Sequence, residues 1–407
     1  RQVYGKIWYD PEDKMFGRRG KYARIIYYLN IGTIPDEVAV KVFTLNGKYV
    51  GNIEEEFLER LMRGDRFVLG GKVYEFVKTK GLKAYVKPVY DAKPTVPSWF
   101  SEMLPLSYDL AVKIGGFRRM MFKWLEEGKP KEKIIRYLKR TCRADDYSAE
   151  AIYQYFAEEY QYLRVLGLNE YPSDKTILVE KFLDKEGRIY LIFHALFGRR
   201  VNDALSRAYA YVASRKTGRN IGIAITDHGF ALIFPRGVKP AVKISDVKSD
   251  TIEDILKAAV VNTELMKRRF RHVAVRSLMI LRNYKGHEIS VNKQQLSAKT
   301  LLNICRELSG FPVLKETFRE ILEDVMDIEH AKEVLRRIET GRIKVVELPV
   351  QDTPSPFSHG IILVGLSDVV LMEDRRRILE RLHKLVMEKI KMSVGESNLY
   401  NPALQTP

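Results

Sequence analysis

Two cysteines, Cys142 and Cys305, are all that the 407 residues contain, and their surroundings are unrelated. So few thiols exclude a disulfide framework and a cysteine zinc site, and they fit a reduced, cytoplasmic setting. No apolar run approaches the ~18 residues of a membrane span, and no lipidation motif or basic amphipathic anchor occurs, so a membrane partner is not expected. A secretory signal is missing. The chain opens RQVYGKIWYDPEDK, polar and without an initiator Met, as a fragment would. Several enzyme signatures are also absent. There is no G-x-x-x-x-G-K-[ST]; the nearest match, Gly70-Gly71-Lys72, continues into Val73 and reads as a strand turn. HExxH, C-x-x-C and G-x-S-x-G do not occur, His287-Glu288 lacks a second histidine, and the seven histidines are scattered. Neither a metal nor a cofactor is expected in the chain itself.

Positive charge is plentiful. Lys and Arg outnumber Asp and Glu by 69 to 52, a formal charge of +17. This balance favours a polyanion partner, nucleic acid first; a charge-rich surface of a heat-adapted protein is the alternative. The apolar fraction of 45% is enough for folded cores. At ~100–200 residues per domain the length implies about two to four modules.

The stretch 30–107 organises the chain. Short β-branched and aromatic runs (38–44, 66–69, 72–77, 83–89) are separated by Asn46-Gly47, Gly64-Asp65, Gly70-Gly71 and Lys80-Gly81. Only 54–62 has helical spacing, through Phe57, Leu58 and Leu61. Such a series predicts a small β-barrel or curled sheet around one short helix. The exit holds Pro94, Pro97, Pro105 and Trp99. Trp99 lies on no periodic apolar face, which makes it a candidate for work outside the core; a buried lid on the barrel is the other reading.

Before this stretch, 1–22 reads as the end of a winged helix, with Arg18 and Arg19 placed for phosphate contact. After it, three helical patterns (108–125, 130–140, 149–166) and a hairpin (177–196) form the signature of another winged helix. A basic helix over 197–218 buries Val201, Leu205, Ala208 and Val212 and carries Arg199, Arg200 and Arg207. A hairpin turning at Asp227-His228-Gly229 and a linker over 246–251 follow. A second basic helix is expected over 264–283. Arg268, Arg271 and Arg282 flank one side of its apolar stripe, Arg269 and Arg276 the other. Guanidinium forks on both shoulders can grip two phosphate lines, or they pair with acids if the helix is buried. Helices over 297–308 and 328–340, a strand IKVVELPV, an extended clasp TPSPFSHGIIL and a last helix over 374–391 complete the chain.

The expected class is therefore α+β, divided as 1–22 (winged-helix end), 23–95 (barrel), 96–196 (helical and winged-helix module), 197–248 (basic helix plus hairpin), 249–392 (helical module) and 393–407 (disordered tail). Acid–base candidates are thin. Asp227, Asp203 and His194 read more readily as turn former, cap and satisfied polar group. The residues alone point to a multi-module nucleic-acid-binding protein.

The runs NIGTIPDE (30–37), GDRFVLGGKVYEF (64–76), PTVPSWFSEMLPLS (94–107), FGRRVNDALSRA (197–208), ELMKRRFRHVAVRSL (264–278) and TPSPFSHGI (353–361) closely resemble the Lhr family of large helicase-related, superfamily 2 ATP-dependent helicases, in an archaeal form. The resemblance covers nearly the whole chain but not the two RecA-like motor domains, which would bind ATP and Mg2+. It implies a C-terminal region with a small barrel and tandem winged-helix modules similar to a bacterial alkyl-purine DNA glycosylase. It also implies that Ile34 sits near the duplex junction and that Trp99 stacks on a base of the tracking strand. Three functions follow as alternatives: a strand-guiding domain of a 3′-to-5′ DNA or RNA:DNA helicase acting on single-stranded or forked DNA with its own motor domains; a glycosylase-like base-excision domain; or a protein-interaction platform. Against the second, Gln294-Gln295, the only glutamine pair on offer, is expected in a polar loop before a helix.

Overall fold

The computed structural model describes residues 7–32, 39–54, 57–58, 61, 63–64, 66–69, 72–89, 104–284, 287–289, 291–365 and 372–399. In chain order the elements begin β1 (Ile7–Asp10), β2 (Met15–Arg18), α1 (Tyr22–Asn30), β3 (Ala39–Thr44), β4 (Tyr49–Glu54), β5 (Arg66–Leu69), β6 (Lys72–Thr79) and β7 (Lys83–Val89). Next come α2 (Tyr108–Glu126), α3 (Lys131–Thr141), α4 (Asp146–Val165), β8 (Thr176–Leu183), β9 (Ile189–Phe193), α5 (Arg199–Thr217), β10 (Gly222–Thr226), β11 (Gly229–Phe234) and α6 (Ile252–Val260). The remainder is α7 (Glu264–Arg276), β12 (Asn283–Tyr284), β13 (His287–Glu288), α8 (Val291–Glu307), α9 (Pro312–Arg319), α10 (Ile328–Glu339), β14 (Lys344–Gln351), α11 (His359–Gly365) and α12 (Met372–Leu399). The class is α+β. Two compact units emerge, each discontinuous: Arg1–Pro97 with Val260–Asp324, and Ser98–Ala259 with Val325–Pro407. No described helix is long and apolar enough to cross a membrane.

In the first unit, β1 and β2 form a hairpin that leads into α1. Asn30, buried at the end of α1, ties distant chain to it. Its side chain accepts the Arg282 and Asn283 backbone N–H groups at 2.7 and 2.9 Å and donates to the Asn283 carbonyl at 3.0 Å. The sheet runs β4-β3-β7-β6-β5, with β3 and β7 parallel and the other neighbours antiparallel. Val40, Val42, Ala84 and Val86 are fully buried on its inner face. No closed barrel is found among the described residues. Among the described residues β4 and β5 are both edges, although the sheet curls far enough that a Cβ on Gly51 would lie 3.2 Å from the Leu69 side chain.

The second basic helix, α7, begins at Glu264 as expected and ends earlier than expected. The Thr263 hydroxyl caps it by accepting the Met266 N–H at 3.3 Å. It stops at Arg276, where Ser277 and a left-handed Leu278 (φ 60°) end the ladder, so Arg282 lies beyond the helix. Its apolar face, Leu265, Met266, Phe270, Val273 and Ala274, is buried and packs on α8 and α9.

In the second unit the sheet runs β10-β11-β9-β8-β14, with β14 parallel to β8. The helices α2, α3 and α4 and the β8–β9 hairpin all form where the sequence places them, yet the hairpin is not a free wing. Both its strands are interior, and β8 is apolar on both faces (Ile177, Leu178, Val179, Phe182 buried), as a doubly covered strand requires. The helix α6 replaces what read as the chain after a linker. The clasp TPSPFSHGIIL is extended only at its start; Pro356–Ser358 is a 3₁₀ turn that runs into α11. The last helix continues to Leu399, into the stretch expected to be irregular.

Candidate nucleic-acid interface

The turn that opens α5 is built around one carboxylate. Asp227 Oδ1 accepts the backbone N–H of Arg199 at 3.0 Å and that of Leu106 at 2.9 Å, and the Asp227 carbonyl accepts the Gly198 N–H at 3.3 Å. Gly198 has φ 85°, and a Cβ there would meet the Leu106 carbonyl oxygen at 2.5 Å, so only glycine lets the two segments close. Asn202 completes the corner by donating to the Ala195 and Thr226 carbonyls, both at 2.9 Å. Asp227 therefore works as a helix cap and clasp. The first-turn arginines diverge from it. Arg199 is half-buried, and Arg200 donates to the Met326 carbonyl at 3.0 Å. Arg207 is bound one turn away by Asp203 at 2.5 Å, so each neutralises the other.

In the first unit, Arg268, Arg269, Arg271 and Arg276 are brought together on α7, and none is exposed. Arg271 is 2% exposed; it donates to Gln295 Oε1 at 2.8 Å and meets His272 Nε2 at 3.1 Å. Arg276 pairs with Glu320. His272 registers the charge concentrated here. Burial first, then the charges of Arg271, Arg268, Arg269 and Arg276, hold its imidazole down at about 3. Gln294 and Gln295 are not in a loop. They sit in the first turns of α8, where Gln294 donates to the Ile289 carbonyl at 2.8 Å. Its neighbour's link to Arg271 carries no signal in sequence, because the two residues are 24 apart. Arg282 donates to the Gly32 carbonyl at 3.3 Å. Arg18 and Arg19 are exposed where β2 ends. Trp99 and Ile34 lie outside the described residues.

His194 belongs to a sealed network in the second unit. Glu180 Oε2 meets His194 Nε2 at 3.1 Å and accepts the Ser358 hydroxyl at 2.5 Å, while Oε1 accepts the Ser355 N–H at 2.8 Å. Burial pushes the Glu180 carboxyl up, but these donors and the histidine outweigh it and its pKa is lowered. Glu159 accepts the Phe357 N–H at 2.9 Å and, fully enclosed, is pushed up to about 8 by burial. The two glutamates hold the 355–358 turn from beneath. With His194 at 2% exposure, the network fixes a loop and is closed to a substrate. Among the described residues no cluster of His, Cys, Asp or Glu could hold a metal ion.

Residues 2–96 match the winged helix domain of the large helicase-related protein, and residues 171–358 match the DEAD/H associated family. The ATP-dependent helicase Lhr-Core protein 2 of Thermococcus barophilus is 47% identical over 395 residues, 96% of this chain and 44% of that protein. The Lhr-Core helicase of Saccharolobus solfataricus matches at the same identity and coverage. The chain belongs to the Lhr family. It spans less than half the length of these Lhr relatives. The solved structure of Mycobacterium smegmatis helicase Lhr bound to ssDNA and AMP-PNP shares the fold, with a TM-score of 0.62 at 22% identity over 87% of this chain and 40% of that one.

Proposed function

We propose that the chain is the nucleic-acid-binding region of an Lhr-type ATP-dependent helicase and guides the tracking single strand of DNA as the motor moves 3′ to 5′. The observation that carries the reading is the gathering of Arg268, Arg269, Arg271 and Arg276 on the single helix α7. The helicase names of its relatives support the same class. Guanidinium groups of Arg268 and Arg269, with Arg18, Arg19, Arg199 and Arg200, serve the phosphates; Arg207, Arg271 and Arg276, held by Asp203, Gln295 and Glu320, contribute less. Trp99 stacks on a base, a contact worth ~1–3 kcal/mol, and Ile34 stands at the duplex junction; forked DNA and an RNA:DNA hybrid are the substrates that present such a junction. ATP and Mg2+ belong to RecA-like motor domains of the same protein, and this chain alone turns over no ATP.

The test is fluorescence anisotropy with a labelled single-stranded oligonucleotide, comparing wild type with Trp99→Ala across a salt series and using duplex as control. Salt-dependent single-strand binding weakened by roughly 5- to 100-fold in the variant is expected. Binding indifferent to Trp99, or none at low salt, would sink the reading.

A further inference from the structure

The solvent face of the first unit's sheet carries a row of side chains that none of these contacts uses. Strand pairing sets Tyr49 beside Phe43, Phe43 beside Tyr85, and Tyr85 beside Lys78, so one row crosses β4, β3, β7 and β6. Alternation turns Val42, Ala84 and Val86 inward and leaves these rings outward: Phe43 and Tyr85 are half-buried and Tyr49 is 50% exposed. Ring centres are 5.7 Å apart for Phe43 and Tyr49 and 6.3 Å apart for Phe43 and Tyr85. The next row is cationic. Lys41 stands directly beside Lys83, both exposed, with Asn52 at the end. Lys83 Nζ lies 5.3 Å from the Phe43 ring centre, and Lys78 Nζ lies 5.8 Å from that of Tyr85. Among the described residues the acids on this face are at its far rows, Glu54 beside Ala39 and Glu75 bound to Lys87 at 2.8 Å.

Cross-strand aromatic pairs stabilise any sheet, but like charges directly opposite one another weaken it. Neither Lys41 nor Lys83 has a carboxylate partner among the described residues, so within these residues no acid offsets their juxtaposition. A polyanion lying along the row would reverse its sign. The lysines over the rings are weakly held at an exposed site and can swing to phosphate, uncovering the faces beneath. Aromatic platforms bordered by cations take unpaired bases, which duplex DNA hides.

We infer that this face binds single-stranded DNA, with bases on Tyr49, Phe43 and Tyr85 and the backbone on Lys41, Lys83 and Lys78. The site uses none of the α7 arginines and rests on the single-strand-binding reading above. The experiment uses the full chain and a labelled thymidine oligonucleotide of about twelve nucleotides, within the range of such sites. Lys41→Gln with Lys83→Gln lowers the slope of log affinity against log salt by about 1.4, at about 0.7 per phosphate released. Tyr49→Ala with Tyr85→Ala weakens binding roughly 5- to 100-fold per lost stack and leaves that slope unchanged. Irradiating wild type with a 5-iodo-deoxyuridine oligonucleotide places crosslinks in 39–54 or 83–89, a readout that does not depend on any variant folding.

Folded variants that bind like wild type, or crosslinks confined to other segments, overturn the proposal. So does concentration-dependent self-association lost in the tyrosine variant while DNA affinity stays unchanged, which would make the face a contact between copies. If wild type does not bind single strands, both readings fall together. If Trp99→Ala weakens binding and the sheet variants do not, only this one falls.

Discussion

Replacing Asp227 with alanine removes one oxygen that serves two backbone donors from segments 121 residues and 28 residues away. Hydrogen bonds to a charged acceptor contribute ~1.5–3 kcal/mol each, and loss of a helix cap costs ~0.5–2 kcal/mol. Both donors are half-buried, so the low end applies and the sum is about 2–4 kcal/mol. Asp227→Asn keeps an oxygen in place and should cost about 1 kcal/mol or less. The effect is local to the second unit, which makes a single global melt a poor measure. Hydrogen exchange resolves it, because the Leu106 and Arg199 amides should lose protection by ~10-fold or more in the alanine variant while the β8–β9 amides do not. Urea melts followed in the near ultraviolet give the total. An alanine variant within ~0.5 kcal/mol of wild type, with Leu106 still protected, would refute the clasp and return Asp227 to the list of groups free for chemistry.

Two further predictions concern titration. Glu159 is raised to about 8 from an ordinary 4.5, so between those values the folded state holds a proton that the unfolded chain has lost. Stability should therefore fall as pH rises through that window, by at most ~1.4 kcal/mol per pH unit; urea midpoints of Glu159→Gln should be flatter than wild type from pH 5 to 9, and parallel curves would defeat the assignment. His272 behaves in the opposite sense: its folded value of about 3 lies below 6.5, so its contribution is lost as pH falls between them. Its NMR titration should move upward when a single-stranded oligonucleotide binds, because phosphates offset the arginine charges; no shift at saturation would remove α7 from the strand's path.

What could be read in sequence was local. The strands β3, β5, β6 and β7 follow from β-branched and aromatic runs between glycine turns, and α5 from its apolar face and the Gly198 entry. The errors share a physical origin. The extension of α7 to Asn283 rested on continuing its apolar stripe, but nothing in the stripe reveals that Leu278 takes a left-handed backbone. Beyond it, Asn30 holds the 282–283 segment by accepting two of its amides from more than 250 positions away. The barrel was a reading of five strands; the curl that brings Gly51 to Leu69 is present, and among the described residues no closing ladder is found.

The arginines show how far composition can mislead about a site. As a count they are a polyanion signal, yet Arg207 and Arg276 are bound by Asp203 and Glu320, and Arg271 is committed to Gln295. A guanidinium already paired contributes less to a phosphate, because one partner must be exchanged for another. What survives pairing is the field, which adds to burial in lowering the His272 imidazole. The lysines of the sheet face are the reverse case: few, evenly spaced and individually unremarkable in sequence, they acquire meaning only when the β3–β7 register puts Lys41 against Lys83. Register is a long-range property, fixed by which strand is chosen as neighbour, and a parallel neighbour cannot be inferred from a hairpin turn. A salt slope that falls by about 1.4 on removing those two lysines, against little change on removing Arg207, would separate charge that is available from charge that is merely present.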